Sequence, residues 1–188
     1  MSNALIKCSC WISAYTGGAR LEEVTGAYKQ DTIQKNGMCG FSFSPDARQW
    51  ELKNVGSIRF IPLHPAVIAN GFLDYVKSLP DGPLFPQKKP DKHGRRSSGL
   101  SDDIGKFLRD IGVKKDGRLS HASFRHFYKN LCRGCHIDRE IHDALTGHAD
   151  GTASNGYGVV SVAALKAAIQ KLPDVLNDPD PATITDGS

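Results

Sequence analysis

The sequence has no uninterrupted run of about eighteen apolar residues, the length that a membrane-spanning helix requires. It has five cysteines, an odd number that does not suit a framework of paired disulfides, and we see no secretory leader. We therefore expect a cytoplasmic protein with reduced thiols and no membrane partner. A chain of 188 residues is long enough for one well-packed domain and too short for two ordinary ones.

The formal net charge of +4 is modest, so the distribution of charge is more informative than its total. Between Pro86 and Cys135, thirteen lysines and arginines stand against five aspartates and glutamates. The residues after Leu172 are acidic and include no lysine or arginine. The basic residues therefore form a patch, as expected for a protein that binds a polyanion such as nucleic acid.

The stretch from Ser120 to Tyr157 contains the side chains with the clearest chemistry. Arg125 can bind a phosphate, His148 can donate a hydrogen bond or move a proton, and Tyr157 stands between two glycines where its phenol can reach out. Together they suit phosphoryl transfer involving a backbone phosphate. For a lone tyrosine, however, packing of the ring is the commoner role.

A second arginine, Arg20, follows the glycine pair Gly17-Gly18 at the start of a predicted helix. At this position a guanidinium and the helix amides can point at the same anion. The alternative is an ordinary surface pair between Arg20 and Glu23 on one helix.

The segment from Thr32 to Arg59 predicts a small antiparallel sheet, because Phe41 and Phe43 alternate with serines. Lys53 then lies at the tip of a hairpin. A lysine in such a place is usually a solvated charge on an edge strand.

Helical spacing of apolar residues predicts the rest of the chain to be mostly helical. A helix from Pro65 to Leu79 is expected to bury Ile68, and a later helix is expected to be capped by Ser101. Further helices are predicted over Leu5–Ala14, Phe124–Leu131 and Asp138–Leu145, and after a cap at Ser161. The loop from Pro80 to Ser98 contains basic residues that can follow a phosphate backbone or can simply be solvated: Lys88, Lys89, Lys92, Arg95 and Arg96.

Five of these features occur in the order found in one known family. They are Gly18-x-Arg20-x-x-Glu23, then Lys53 before Arg59-Phe60-Ile61-Pro62-Leu63, then Ser123-Phe124-Arg125-His126, then Leu145-Thr146-Gly147-His148, then Gly156-Tyr157-Gly158. In this order the chain resembles the catalytic domain of the tyrosine recombinases, the phage-integrase family. The match extends from about residue 5 to residue 172.

The resemblance implies an α+β fold that is mainly α, with a small antiparallel sheet. Residues 1–172 would form the catalytic domain, with residues 1–4 set aside as tag-derived sequence, and residues 173–188 a flexible C-terminal tail. We expect the upstream core-binding domain of such enzymes to be absent from this sequence. The expected partner is double-stranded DNA, bound by a homotetramer in the full-length enzyme and by a monomer of this fragment, in a cytoplasmic, nucleoid-associated setting.

The resemblance also implies roles for individual residues. Arg20 and Arg125 would clamp the scissile phosphate, and Tyr157 would attack it to form a 3′-phosphotyrosyl bond. Lys53 would protonate the leaving oxygen, and His148 would hydrogen-bond a nonbridging oxygen. Glu23 would support Arg20 without itself contacting the phosphate.

Two departures from the family pattern bear on activity. Ala122 stands where the family has the histidine of His-x-x-Arg, and His121 lies one residue earlier. The family's usual threonine stands directly before the motif glycine, which is Gly18 here, and in this sequence it is one residue early, at Thr16. A noncatalytic DNA-binding module with the same fold is therefore the main alternative, and a type IB topoisomerase-like activity is another.

A metal site is a weaker hypothesis. Cys132-x-x-Cys135-His136 has no second pair of ligands at zinc-finger spacing. Of the remaining histidines, His142 is expected on the exposed side of its helix, and His64 and His93 in loops. We expect no cofactor and a metal-independent reaction, because arginines and a lysine fill the roles that a divalent ion would take.

Overall fold

The computed structural model describes residues 3–43, 58–86, 89–94, 96–110, 123–147, 160–175 and 177, with the backbone alone at 3–7, 98 and 108. This part of the chain is mainly helical with one small antiparallel sheet, as predicted. In chain order the elements are α1 (Asn3–Tyr15), α2 (Leu21–Thr25), a 3₁₀ turn (Lys29–Asp31), β1 (Thr32–Lys35), β2 (Met38–Phe43), β3 (Arg59–Pro62), α3 (Pro65–Ala69), α4 (Phe72–Ser78), α5 (Ser97–Asp110), α6 (Ser123–Gly134), α7 (Arg139–Thr146) and α8 (Val162–Lys171). Among these residues no helix has both the length and the apolar character to cross a membrane.

Helix α1 lies at the centre of the fold and contacts α2, α3, α5 and α6. Its residues Ile12 and Tyr15 are almost fully buried, as an apolar helix surrounded by others requires. The helix predicted over Leu5–Ala14 is thus confirmed. Because α2 and α6 both pack on α1, the residues that begin these two helices are brought to the same side of the molecule.

The sheet has the strand order β1-β2-β3, and both pairs are antiparallel. The predicted alternation is confirmed, since Phe41 and Phe43 are buried and Ser42 between them is half-buried. In the second pair Phe43 stands opposite Arg59. Residues 44–57, which include Lys53, connect these two paired residues in the sequence and lie outside the described part.

The helix predicted from Pro65 to Leu79 is wrong as a single element. It is interrupted at Asn70-Gly71, where Gly71 adopts a φ of +83°, a left-handed conformation that separates α3 from α4. Phe72 and Val76 are buried, whereas Ile68 is 39% exposed. The prediction that Ile68 faces the core is therefore also wrong.

The predicted cap at Ser101 is also wrong, because α5 begins four residues earlier at Ser97. The carboxylate of Glu22 accepts hydrogen bonds from the backbone N–H groups of Arg96 and Ser97, both at 3.3 Å. A carboxylate from another helix thus satisfies the first donors of α5, which removes the need for a local cap. Leu100 and Ile104 on this helix are buried in the core.

The cap of the last helix is as predicted, since Ser161 Oγ accepts a hydrogen bond from Ala164 N at 3.1 Å. Helix α8 packs on β3 and α7. After α8 the chain remains attached to the fold, because the hydroxyl of Tyr15 donates to Pro173 O and accepts from Val175 N, both at 2.8 Å.

Candidate functional site

Arg20 is positioned by the turn between α1 and α2. Gly17 and Gly18 have φ values of +69° and +61°, a left-handed conformation that side chains disfavour, and they reverse the chain before α2. The backbone N–H of Arg20 then donates to Glu23 Oε2 at 2.7 Å, which caps the first turn of α2. Thr16 is turned back onto α1, where its hydroxyl donates to Ile12 O at 2.6 Å.

The same turn packs directly on the first turn of α6. A Cβ at Gly18 would lie 2.5 Å from Arg125 Cα and 2.9 Å from Arg125 Cβ, so this approach requires glycine. Burial lowers the pKa of Arg125, and the positive charge of Arg20 lowers it further. The two arginines are thus close enough for each charge to act on the other.

Beneath the arginines lies a buried ion pair that joins two distant parts of the chain. Arg59 Nη2 is 3.0 Å from Glu23 Oε2, and Arg59 Nη1 donates to Glu23 Oε1 at 3.2 Å. The side chains are only 5% and 6% exposed, respectively. Burial alone would raise the pKa of Glu23, but the charge and hydrogen bonds of Arg59 and the N–H of Arg20 outweigh it and lower the pKa.

The end of α7 completes the cluster. Arg59 Nε donates to Leu145 O at 3.1 Å, and Arg125 Nη2 donates to Thr146 O at 3.2 Å. Carbonyls at the end of a helix lack intrahelical partners and carry partial negative charge, so guanidiniums suit them. Gly147 then ends the helix with a φ of +66°. His148 is the next residue along the chain and lies outside the described residues.

Of the residues predicted from the sequence, the structure brings together Arg20, Glu23 and Arg125. Lys89 lies exposed in the basic loop, and Arg96 is half-buried. The alternative pairing of Arg20 with Glu23 takes a different form, because that carboxylate binds the Arg20 backbone and the Arg59 guanidinium. Six further predicted residues lie outside the described ranges: Lys53, Lys88, Arg95, His121, His148 and Tyr157.

Arg59 was not among the residues selected from the sequence. Its only place in the sequence analysis is as the first residue of the motif that ends in Pro62 and Leu63. A signal was nevertheless present in the sequence, because Arg59 is a single charged residue directly before the uncharged run Phe60-Ile61-Pro62-Leu63. Such a charge needs a partner inside the fold.

The prediction that His142 is exposed is wrong. Its side chain is 12% exposed, and its Nδ1 lies 2.9 Å from Asp143 Oδ1. Its ring faces that of Tyr128 with centroids 6.4 Å apart, because α7 packs into the fold and leaves this side of the helix covered.

The cysteines show no features of a metal site. Burial raises the pKa of the Cys132 thiol to about 12. Across the described ranges, no three histidine, cysteine, aspartate or glutamate residues are grouped so that they could hold an ion.

The fold is similar to that of a solved structure described as "Integrase from mycobacterium phage Brujita". The TM-score is 0.63 at 16% sequence identity, over 99% of this chain. This chain spans 58% of the length of that integrase chain. No family model matches the sequence, and no curated protein matches it. At this identity the similarity concerns the fold, and the function has to be argued from the site.

Proposed function

We propose that this chain is the catalytic domain of an integrase-type tyrosine recombinase, which cleaves and rejoins double-stranded DNA through a 3′-phosphotyrosyl intermediate. The main support is the placement of Arg20 and Arg125 side by side over a buried Glu23–Arg59 pair. The similarity of the fold to a phage integrase is the second support.

The arginine pair suits a phosphodiester in particular. As a nucleophile attacks in line, negative charge accumulates on the equatorial oxygens of the phosphorus, and two guanidinium forks can bind these oxygens with fixed geometry. Arg20 approaches from the start of α2 and Arg125 from the start of α6, so backbone elements hold both. Preorganised donors of this kind each stabilise a transition state by roughly 3 kcal/mol.

In the proposed reaction the phenol oxygen of Tyr157 attacks the phosphorus, and the bond from phosphorus to the 5′ oxygen breaks. The phenol proton passes to His121, and Lys53 supplies a proton to the leaving 5′ oxygen. His148 donates a hydrogen bond to a nonbridging oxygen. Rejoining is the reverse, because a 5′-hydroxyl attacks the phosphotyrosyl bond, which has conserved the energy of the original bond.

The basic loop would hold the DNA backbone beside this site. Glu22 binds the N–H groups of Arg96 and Ser97, so the end of the loop is fixed next to α2 and hence next to Arg20. Lys88, Lys89, Arg95 and Arg96 are the proposed phosphate contacts. Such contacts position the duplex and carry little sequence information.

The proposed assembly holds the DNA duplex from two faces. The catalytic domain would contact one face, and a core-binding domain would contact the opposite face. Strand exchange would then require four catalytic domains on two DNA sites, with the chain after Tyr157 at the contacts between them.

One observation favours a second function, a noncatalytic DNA-binding module. Ala122 occupies the position three residues before Arg125, where the family has a histidine, and His121 is one residue displaced. Without a proton acceptor, the same arginines would bind a phosphate without cleaving the strand.

A covalent-capture experiment distinguishes these functions. The protein is incubated with a library of nicked DNA duplexes of randomised sequence, in which a released fragment cannot religate. Covalent complexes are isolated on a denaturing gel and sequenced. We expect a complex with the wild type, none with Tyr157→Phe, and at least about a hundredfold less with Arg125→Met.

The controls separate binding from chemistry. Both variants are also tested for noncovalent DNA binding by native gel shift, where Tyr157→Phe should match the wild type. DNA binding without a covalent complex from any form would contradict the recombinase and support the noncatalytic module. A covalent complex that survives in Tyr157→Phe would refute the assignment of the nucleophile.

A further inference from the structure

We propose that Arg59 is a positioning residue that neutralises the buried carboxylate of Glu23, and so leaves Arg20 and Arg125 to hold a phosphate. The inference rests on the proposed function, since the phosphate in question is that of DNA. Arg59 would affect the phosphate only indirectly, through Arg20 and Arg125.

Glu23 lies within electrostatic range of three guanidiniums and is bonded directly to that of Arg59. Its carboxylate accepts hydrogen bonds from Arg59 Nη1, Arg59 Nη2 and Arg20 N, at 3.2, 3.0 and 2.7 Å. Both Arg20 and Arg125 lie close enough for electrostatic interaction with it. The partner that Glu23 takes therefore determines which cations remain for a ligand.

Two further contacts hold the Arg59 guanidinium next to Glu23. Its Nε donates to Leu145 O at 3.1 Å, and its guanidinium lies 4.6 Å from the centre of the Phe43 ring. With its side chain only 5% exposed, Arg59 cannot itself reach out to DNA. Arg20, in contrast, is exposed.

The charges of the cluster make the consequence specific. Three guanidiniums and one carboxylate carry a net charge of +2. Without Arg59 the net charge is +1, and a buried carboxylate without its cation is unfavourable enough to attract a neighbouring guanidinium. Arg20 or Arg125 would then bind Glu23 in place of the phosphate. Removing the Glu23 charge as well would restore +2 and release both arginines.

The experiment is a double-mutant cycle with inorganic phosphate as the probe. Affinity is measured by calorimetry at constant ionic strength for the wild type, Arg59→Met, Glu23→Gln and the double variant. We expect Arg59→Met to lose about tenfold in phosphate affinity, and the double variant to recover to within about threefold of the wild type. Covalent complex formation with the nicked DNA library should fall and recover in the same order.

A matched control uses the neighbouring carboxylate. Glu22 stands next to Glu23 in the sequence but binds the start of α5. Glu22→Gln therefore removes the same charge but leaves the Glu23 carboxylate in place to attract Arg20 or Arg125. Arg59→Met combined with Glu22→Gln should stay as weak as Arg59→Met alone. Equal rescue by Glu22→Gln would show that only overall charge matters and would overturn the inference.

Arg59→Lys covers the case in which Arg59→Met fails to fold, which a thermal melt detects. Lysine keeps the positive charge but loses the fork, so phosphate affinity should stay within about threefold of the wild type. Loss in Arg59→Lys as large as in Arg59→Met, or a double variant as weak as Arg59→Met, would show that Arg59 serves packing alone. A wild type that binds no phosphate would also overturn the inference.

These results are separable from the proposed function. A wild type that binds phosphate, shows the predicted rescue and forms no covalent DNA complex would contradict the recombinase while supporting the role of Arg59. A wild type that forms the covalent complex but shows no rescue would support the recombinase and contradict the role of Arg59.

Discussion

The cluster of Arg20, Glu23, Arg59 and Arg125 depends on single residues with no substitute at their positions. Gly18 is one, because α6 occupies the space where a side chain would lie. Arg59 is another, because one guanidinium binds Glu23, Leu145 O and the Phe43 ring together. Each of these residues connects segments that are far apart in the chain.

At the residue scale we predict that Gly18→Ala destabilises the protein by roughly 2–4 kcal/mol, from a close contact added to a strained φ. The methyl group would lie 2.5 Å from Arg125 Cα at a φ of +61°. The free energy of unfolding in urea measures the loss. DNA affinity should fall as well, because Arg125 has to shift.

Gly37→Ala is the matched control for this prediction. Gly37 also has a positive φ, +74°, but nothing lies within 4 Å of its added Cβ. It should therefore cost only about 1 kcal/mol, the strain alone. Equal losses from the two variants would contradict the packing argument.

At the scale of elements, the segment after α8 is held by α1 and the cap of α3. His64 Nε2 lies 3.0 Å from Leu172 O, its Nδ1 accepts from Ala66 N at 3.1 Å, and its ring stacks on Tyr15 with centroids 4.0 Å apart. In the neutral imidazole both ring nitrogens have a hydrogen-bond partner, Leu172 O at Nε2 and Ala66 N–H at Nδ1. A proton added at Nδ1 would remove the acceptor that Ala66 N–H needs.

This arrangement predicts a pH-dependent stability. Burial lowers the pKa of His64, although Leu172 O and the charge of Asp174 oppose it. The folded pKa therefore lies below the unfolded value of about 6.5, so the unfolded chain binds the proton more tightly. The contribution to stability is present above about pH 6.5 and is lost as the pH falls through the folded pKa.

Urea unfolding over a series of pH values checks this. His64→Gln should flatten the acid limb of the stability curve. His93→Gln, at an exposed loop position, should leave it unchanged. An acid limb that persists in His64→Gln would assign the pH dependence to other groups.

At the scale of the whole molecule, the basic residues between Pro86 and Cys135 predict salt-sensitive DNA binding. If about four basic side chains contact phosphates, affinity falls on the order of a hundredfold between about 50 and about 200 mM salt. Fluorescence anisotropy with labelled duplex measures the slope. An isotherm that does not change with salt would contradict a phosphate-dominated contact.

Substitution identifies the surface responsible. Replacing Lys88, Lys89, Arg95 and Arg96 with alanine should reduce the slope of log affinity against log salt. Lys77→Ala, on the exposed side of α4, should leave it unchanged. A reduced slope for Lys77→Ala would place the DNA on a different face.

Local pattern explains what could be predicted from the sequence alone. The mainly helical fold, the small sheet and the cap at Ser161 follow from the spacing of apolar residues and from neighbouring side chains, and all are present. The order of motifs also selected Arg20, Glu23 and Arg125, which the fold places together. Their catalytic roles remain predictions, as do those of Lys53, His121, His148 and Tyr157.

Only the tertiary structure decided the features that depend on distant partners. Glu23 and Arg59 are 36 residues apart, and Glu22 is 74 residues from the N–H of Arg96 that it binds. The cap of α5 could not be read from Ser101, because a carboxylate on another helix takes that role. Nor could the burial of His142 be read from its helix, because the packing of α7 decides which side is covered. Hydrophobic periodicity is a property of neighbouring residues, whereas the pairing of buried charges exists only once the chain has folded.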